Sequence, residues 1–241
     1  MKLSVIIPTY NEEKRLPKTL REIDKYLSNQ GYDSEIFVVD GGSTDRTADV
    51  VREMTQEISN LKLIEAKESR GKGGAVKTGI LKAEGEYRVF TDADNSTSID
   101  HIEKMWPLFE KGYQVVIGSR DKRDVKGASQ AVPQPFWKRF LGDVGNIIIQ
   151  IVAVWGVWDT QCGFKAFKKE AAQNLFKRCK ITGWAFDVEV LALAKKFGYK
   201  IGIVPVYWIN DPESKVKLKA YFDTLLDVFR IKKDLILGRY D

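Results

Sequence analysis

At 241 residues the chain is long enough for one large domain or two small ones. Its 44% hydrophobic and 30% charged residues describe a soluble globular protein with a real core, which excludes a disordered or fibrous chain. The formal charge of +6 is a modest basic excess that suits anionic ligands or an anionic membrane surface. With no block of like charge and no recognisable nucleic-acid motif, it gives no reason to expect nucleic acid as a partner.

The first half alternates strand and helix patterns. Leu3–Ile7 reads as a strand and carries no cleavable-signal pattern. Leu16, Leu20, Ile23 and Leu27 mark one face of a helix. Glu35–Val39 is the second strand, and Ser43 or Thr44 can cap a helix running to about Ile58. Leu61–Ile64 is the third strand, followed by a glycine-rich turn and a helix over Gly74–Ala83. Tyr87–Phe90 is the fourth strand, Asp100–Lys111 a helix and Gln114–Gly118 the fifth strand. This alternation predicts an α/β fold with a mostly parallel central sheet and helices on both faces.

After Ser119 the rhythm changes. Asp121–Pro135 is polar with two prolines and reads as a loop. Phe136–Val157 reads as a long apolar helix whose hydrophobic character reaches Trp158. Phe164–Phe167 returns to the sheet, Asp187–Phe197 is helical, Lys200–Trp208 is a strand, and Leu218–Leu237 is an amphipathic helix. No linker or repeat divides the chain, so one domain is expected over residues 1–241.

The two cysteines, Cys162 and Cys179, are not spaced as a metal site or redox pair, which points to a reducing, cytoplasmic setting. The single histidine, His101, falls among charged neighbours and is expected at the surface or as a cap. Mechanisms that need histidine, such as a Ser-His-Asp triad or a zinc hydrolase, lose their main support. The apolar run Ile147–Trp158 is interrupted by Gln150 and Gly156 and falls short of the roughly 20 residues a spanning helix needs.

The chemistry sits where strands run out. Thr91-Asp92-Ala93-Asp94-Asn95 follows the fourth strand. Alternate side chains at a strand end share a face, so Asp92 and Asp94 can converge on one point. In an open α/β sheet that edge is where ligands bind. Two hard oxygen ligands there suit Mg²⁺ or Mn²⁺ bridged to a substrate phosphate; an Asp-X-Asp can also be a turn or a helix cap. Pro8-Thr9-Tyr10-Asn11-Glu12 follows the first strand, with Asn11 a possible cap. Asp40-Gly41-Gly42-Ser43-Thr44-Asp45 follows the second: Asp40 can accept hydrogen bonds from a base or ribose, and the glycines let backbone approach a ligand. In Gly71-Lys72-Gly73-Gly74, Lys72 can reach a phosphate, although the P-loop spacing is absent.

Taken together, Val5–Glu12, Val38–Asp45, Gly71–Gly73 and Asp92–Asp94 resemble family 2 glycosyltransferases, which have the GT-A fold. The resemblance covers essentially the whole chain. It implies a nucleotide-sugar donor around Pro8, Tyr10, Glu12, Asp40, Gly41, Ser43, Lys72, Asp92 and Ala93, with Asp92 and Asp94 as the diphosphate–metal carboxylates. It divides the domain into a nucleotide-sugar half, residues 1–119, and an acceptor half, residues 120–241, with an apolar helix at 136–158.

Gly118-Ser119-Arg120, Arg139, Asp159–Lys165, Trp184–Glu189 and Ser214-Lys215 are similar to polyprenyl-phosphate sugar transferases. The form Gln161-Cys162-Gly163-Phe164-Lys165 looks closer to dolichyl-phosphate glucosyltransferases than to the mannose synthases. That subgroup implies a metal-dependent, inverting hexosyltransferase, with UDP-glucose favoured over GDP-mannose as donor and a polyprenyl or dolichyl phosphate as acceptor. Asp94, Asp187 and Gln161 are the implied catalytic residues, and Arg120, Arg139 and Lys215 the acceptor-phosphate partners. Asp187 would be a general base toward a sugar hydroxyl and an orienting group toward a phosphate.

The chain departs from the subgroup by lacking a transmembrane segment at either end, so peripheral contact with the cytosolic face of a membrane is expected. The Phe136–Trp158 segment is then either a buried core helix or an interfacial one touching lipid. The apolar spacing of Leu218, Tyr221, Phe222, Leu225, Leu226 and Phe229 reads as core packing, with nearby basic residues able to lie against headgroups. Alternatives are a soluble family 2 transferase acting on a glycan or small-molecule hydroxyl, a sugar-phosphate nucleotidyltransferase, and a nucleotide-sugar-binding regulatory domain.

Overall fold

The computed structural model describes residues 1–69, 71–130, 136–209 and 218–241. Seven strands form one sheet: β1 (Leu3–Thr9), β2 (Ser34–Asp40), β3 (Leu61–Glu65), β4 (Tyr87–Phe90), β5 (Val115–Ser119), β7 (Lys165–Lys168) and β8 (Ile201–Pro205). Their spatial order is β3-β2-β1-β4-β7-β5-β8. All neighbours are parallel except β7, which runs antiparallel to both β4 and β5. This is the mostly parallel sheet that the sequence predicts.

The faces separate by strand parity. Leu3, Val5 and Ile7 point to one side, where α1 (Leu16–Ser28) and α2 (Thr47–Met54) bury Leu16, Leu20, Ile23, Leu27, Val51 and Met54. Ile6 points to the other side, onto α3 (Gly71–Lys82), α6 (Lys169–Arg178) and α7 (Phe186–Lys196). Helices therefore cover both faces. α6 is absent from the sequence reading. Its buried face is Ala171, Ala172, Leu175 and Phe176, so half of that stripe is alanine and carries little hydrophobic contrast.

Several boundaries differ from expectation, each for a local reason. The Asp100–Lys111 helix is broken into a 3-10 segment, Ile99–Lys104, and α4, Trp106–Glu110. Pro107 has no N–H and its ring opposes continuation of the preceding turn. α3 opens at Gly71 rather than Gly74. α5 (Phe136–Val152) stops short of Trp158: Ala153 and Val154 both donate to the Ile149 carbonyl, and Gly156 turns the chain at φ +81 while donating to Gln150 Oε1 at 2.7 Å. The Lys200–Trp208 strand divides at Pro205. Beyond it, β9 (Tyr207–Trp208) leaves the main sheet to pair with β6 (Ser129–Gln130).

His101 is buried, not at the surface. Its Nε2 accepts the Tyr207 N–H at 3.1 Å, so this nitrogen is unprotonated, and burial holds the ring below the ordinary histidine pKa. Burial of α8 (Leu218–Ile236) also departs from expectation. Val228 and Ile231 are buried, but Phe222, Leu226 and Phe229 face solvent, so the stripe expected in the core is partly outside it. Among the described residues no helix is long and apolar enough to cross a membrane.

Candidate active site

The sheet fixes where the site lies. The carboxyl ends of β1, β2 and β4 share one edge: Thr9 is in register with Asp40, and Phe90 ends β4 just before Asp92. Because β7 is antiparallel, its first residue, Lys165, lies at that same edge, opposite Phe90 and Ile117. The reversed strand thus delivers the Gly163-Phe164-Lys165 segment to the ends of its parallel neighbours.

Lys72, in the first turn of α3, places Nζ 2.5 Å from Asp92 Oδ1. Burial disfavours the Lys72 charge, but Asp92, Asp187 and Asp94 all favour it, and its pKa lies above the ordinary lysine value. Asp94 is pushed above the ordinary carboxylate range by burial and then by the neighbouring Asp92 charge; its Oδ1 accepts the Ser96 N–H at 2.9 Å. Asp187 opens α7. Burial raises its pKa, against the opposing pull of Lys165 and Lys72. Lys165 is fully buried, with Nζ 2.5 Å from both Asp187 Oδ1 and the Cys162 carbonyl. The result is a series of charges in which two neighbouring carboxylates, Asp94 and Asp92, are followed by Lys72, Asp187 and Lys165.

Lys165 and Gly163 both touch this cluster, and the sequence alone assigns neither of them a role. A Cβ built on Gly163 would lie 1.9 Å from Asp92 Oδ2, a distance no neighbour can accommodate without moving. A side chain at this position would push the Asp92 carboxylate aside. Gly163→Ala is expected to displace Asp92 and lower turnover about a hundredfold, since misplacement of a reacting group by about 1 Å has that effect. Steady-state kinetics, with circular dichroism to confirm the fold, checks this.

The β1 and β2 loops form a second cluster. Asn11 adopts a left-handed φ of 56, and its Oδ1 accepts the Thr44 N–H at 2.8 Å, so it braces the neighbouring loop instead of capping α1. Ser43 Oγ accepts the Asn11 N–H at 2.8 Å and donates to Asp40 Oδ1. Asp40 is buried and also accepts the Ser43 N–H at 3.1 Å. Ser43 is thus a loop brace, and Asp45 Oδ1 takes the Thr47 N–H at the start of α2. Gly41 donates to the Thr9 carbonyl at 2.9 Å, Pro8 is buried, and Tyr10 is exposed. Glu12 pairs with Arg15 at 2.6 Å. Ala93 is buried and its carbonyl accepts the Thr19 hydroxyl at 2.8 Å, while Gln161 is half-buried.

Of the implied acceptor residues, Arg120 forms a two-pronged pair with Asp159, at 2.8 Å and 2.7 Å, and its guanidinium lies 5.2 Å from the Trp208 ring. Asp124 braces this pair: its Oδ2 accepts the Asp159 N–H at 2.8 Å and the Ser119 hydroxyl at 2.7 Å. The Arg139 side chain and Lys215 lie outside the described residues.

Asp92 and Asp94 fit a hard divalent cation. Magnesium-type ions are held by one or two carboxylates with substrate phosphates completing the shell, and two crowded like charges are what such an ion would relieve. Among the described residues no group of three or more His, Cys, Asp or Glu could hold an ion without that contribution from a ligand.

The family profile described as glycosyl transferase family 2 matches residues 4–176. The chain belongs to glycosyl transferase family 2. This transferase is 37% identical to the dolichyl-phosphate beta-glucosyltransferase of Dictyostelium discoideum, over 98% of this chain and 75% of that protein. It is 36% identical to one from Trichomonas vaginalis, over 95% and 72%, and 34% identical to the one from Homo sapiens, over 89% and 69%. Among solved structures, mannosyl-3-phosphoglycerate synthase from Rubrobacter xylanophilus superposes with a TM-score of 0.72 at 18% identity, over 99% of this chain and 76% of that one. A complex of glucosyl-3-phosphoglycerate synthase from Mycobacterium tuberculosis with Mn²⁺, UDP and phosphoglyceric acid gives 0.69 at 18% identity, over 99% and 78%. The transferase shares their fold, the GT-A architecture implied by its sequence.

Proposed function

We propose that this family 2 glycosyltransferase transfers glucose from UDP-glucose to dolichyl phosphate, with inversion at the anomeric carbon. The observation that carries the reading is its relatives' identity: proteins 36–37% identical over 95–98% of the chain are dolichyl-phosphate beta-glucosyltransferases. The donor choice is supported by UDP in a structure of the same fold.

In this reading Asp92 and Asp94 hold Mg²⁺ or Mn²⁺, which when bound neutralises charge on the leaving diphosphate. Lys72 and the first turn of α3 bind the diphosphate. The Asn11–Ser43–Asp40 brace fixes the loops that receive base and ribose, together with Pro8, Tyr10, Glu12 and Gly41. An acceptor phosphate oxygen attacks the anomeric carbon as the bond to the diphosphate breaks, and the nucleoside diphosphate leaves. A phosphate monoester is already largely dianionic near neutral pH, since its second pKa is about 6, so it needs orientation more than deprotonation. Asp187, held by Lys165, and Gln161 supply that orientation, and Arg120, Arg139 and Lys215 attract the phosphate.

A lipid acceptor also accounts for the outer face. Val144, Ile147 and Ile151 of α5 are exposed while Ile149 is buried, Trp155 beyond it is 73% exposed, and Phe222, Leu226 and Phe229 of α8 face outward. α8 lies beside the site: Asp227 Oδ2 approaches Gly183, next to Trp184, whose ring lies 5.4 Å from Lys72 Nζ. Exposed apolar area of this extent marks an interaction surface, and Arg230, Lys232 and Lys233 add positive charge along α8. Peripheral membrane contact follows from this reading.

The test is turnover of radiolabelled UDP-glucose and GDP-mannose with and without dolichyl phosphate. Product only with UDP-glucose and the lipid is expected, whereas turnover of a water-soluble acceptor alone would overturn the reading. Trp155→Ser with Phe222→Ser and Leu226→Ser should stay folded, because these side chains face solvent. It should also bind anionic liposomes at least about tenfold more weakly, on removal of roughly 100 Å² or more of apolar contact. Unchanged liposome sedimentation would place the lipid contact elsewhere.

A further inference from the structure

Glu189 lies on α7 near the site but belongs to neither cluster described above. It is 0% exposed, yet its carboxylate is fully used. Oε1 accepts the Lys180 N–H at 2.9 Å and the Tyr240 hydroxyl at 2.7 Å, and Oε2 accepts the Ile181 N–H at 2.9 Å. Glu189 thus grips two successive amides of the strap at residues 179–182, between α6 and α7. Lys77 secures the near end of this strap, with Nζ 2.6 Å from the Cys179 carbonyl.

The other side of the strap is the seat of α3. The Thr182 carbonyl accepts the Gly74 N–H at 3.2 Å. A Cβ on Gly71 would meet the Thr182 oxygen at 2.5 Å, and one on Gly73 would meet the Ile181 oxygen at 2.8 Å and Phe186 Cβ at 2.6 Å. Glycines are therefore needed on both sides of Lys72 because the strap presses directly on the backbone. Lys72 is the residue between them, and its ammonium is the one paired with Asp92.

We propose that Glu189 is a positioning residue: by holding the strap through its two amides, it sets the seat of the α3 N-terminus and hence the place of the Lys72 ammonium. It touches no reacting atom and acts through Lys72. The functional consequence rests on the reading above that Lys72 binds the donor diphosphate.

Glu189→Gln keeps the shape but offers one carbonyl oxygen and one NH₂ group, so one strap amide loses its acceptor. In the ligand-free protein, hydrogen exchange at Gly74 should become about tenfold faster, as expected for a hydrogen bond weakened at its support. Calorimetric titration of uridine diphosphate with Mn²⁺ should show about tenfold weaker binding. In a Lys72→Met background the same substitution should weaken uridine diphosphate no further, because the residue it acts through is gone. A merely structural Glu189 would give the same fold loss in both backgrounds.

Unchanged Gly74 exchange, or equal losses with and without Lys72, overturns the proposal. If Glu189→Gln does not fold, Tyr240→Phe removes one bond to Glu189 and keeps the carboxylate. It should move both measurements the same way by about threefold, and no change would overturn the proposal. If the unmodified protein binds no uridine diphosphate, the donor reading fails, and Gly74 exchange alone decides whether Glu189 holds the α3 seat.

Discussion

Asp94→Asn is expected to lower turnover by about three orders of magnitude, roughly 4 kcal/mol of transition-state stabilisation, while the protein remains folded. The amide keeps the side-chain shape and an oxygen for the Ser96 N–H, but removes the charge that the proposed divalent cation would need. The effect on stability should have the opposite sign. Burial and the Asp92 charge raise the Asp94 pKa in the folded protein. A carboxyl whose folded pKa exceeds its unfolded value favours folding below the ordinary carboxylate range. That contribution is lost as pH rises through the raised value. The ionised form of Asp94 therefore sits in a place that resists its charge, and Asp94→Asn removes that cost. Thermal unfolding of the ligand-free variant should show an equal or higher midpoint at pH 7, with the difference shrinking on acidification. Turnover of the unmodified enzyme that is indifferent to EDTA, with full activity in Asp94→Asn, would remove the metal role from this carboxylate pair.

How much of this was legible in the sequence depends on which interactions are local. The strand ends were readable because Asp40 and Asp92 each follow a short apolar run, and in a parallel sheet such ends converge by topology. The antiparallel direction of β7 was not readable from Phe164–Phe167 alone. Four residues carry no sign of direction, and that direction alone places Lys165 opposite Phe90. Gly163 could be seen as part of a motif, but its reason is a single approach to Asp92 across the sheet edge. Pro107 breaks the helical pattern at Asp100–Lys111, and the burial of His101 depends on the distant Tyr207 amide. For α8, spacing shows only that residues share a face, not what covers it. Phe222 and Leu226 have the periodicity of a core and the exposure of a contact surface.

Lys165→Met tests the other half of the charge series, and its expected effect on stability is the largest of any substitution considered. Lys165 and Asp187 are both buried and 2.5 Å apart. Removing the ammonium leaves a carboxylate in the core with its nearest cation gone, a change that typically destabilises by about 3–5 kcal/mol. Lys72 still attracts Asp187, but it is already committed to Asp92. The pH dependence follows from the direction of the shift. Burial already holds the Asp187 pKa above the ordinary carboxylate range, and loss of Lys165 moves it further up. Between the ordinary range and that raised value the folded state binds the extra proton, so stability falls as pH rises. The gap from the unmodified protein should therefore be widest at alkaline pH and narrow on acidification, measured by denaturant unfolding. A second substitution separates folding from chemistry. Lys165→Met with Asp187→Leu replaces the pair by apolar groups, and such replacement of a buried ion pair is often neutral or stabilising. The double variant should recover most of the lost stability and, on the proposed acceptor-orienting role of Asp187, remain inactive. Recovery of turnover along with stability would make Lys165 and Asp187 a packing pair and leave acceptor orientation to Gln161 and the Arg120–Asp159 pair.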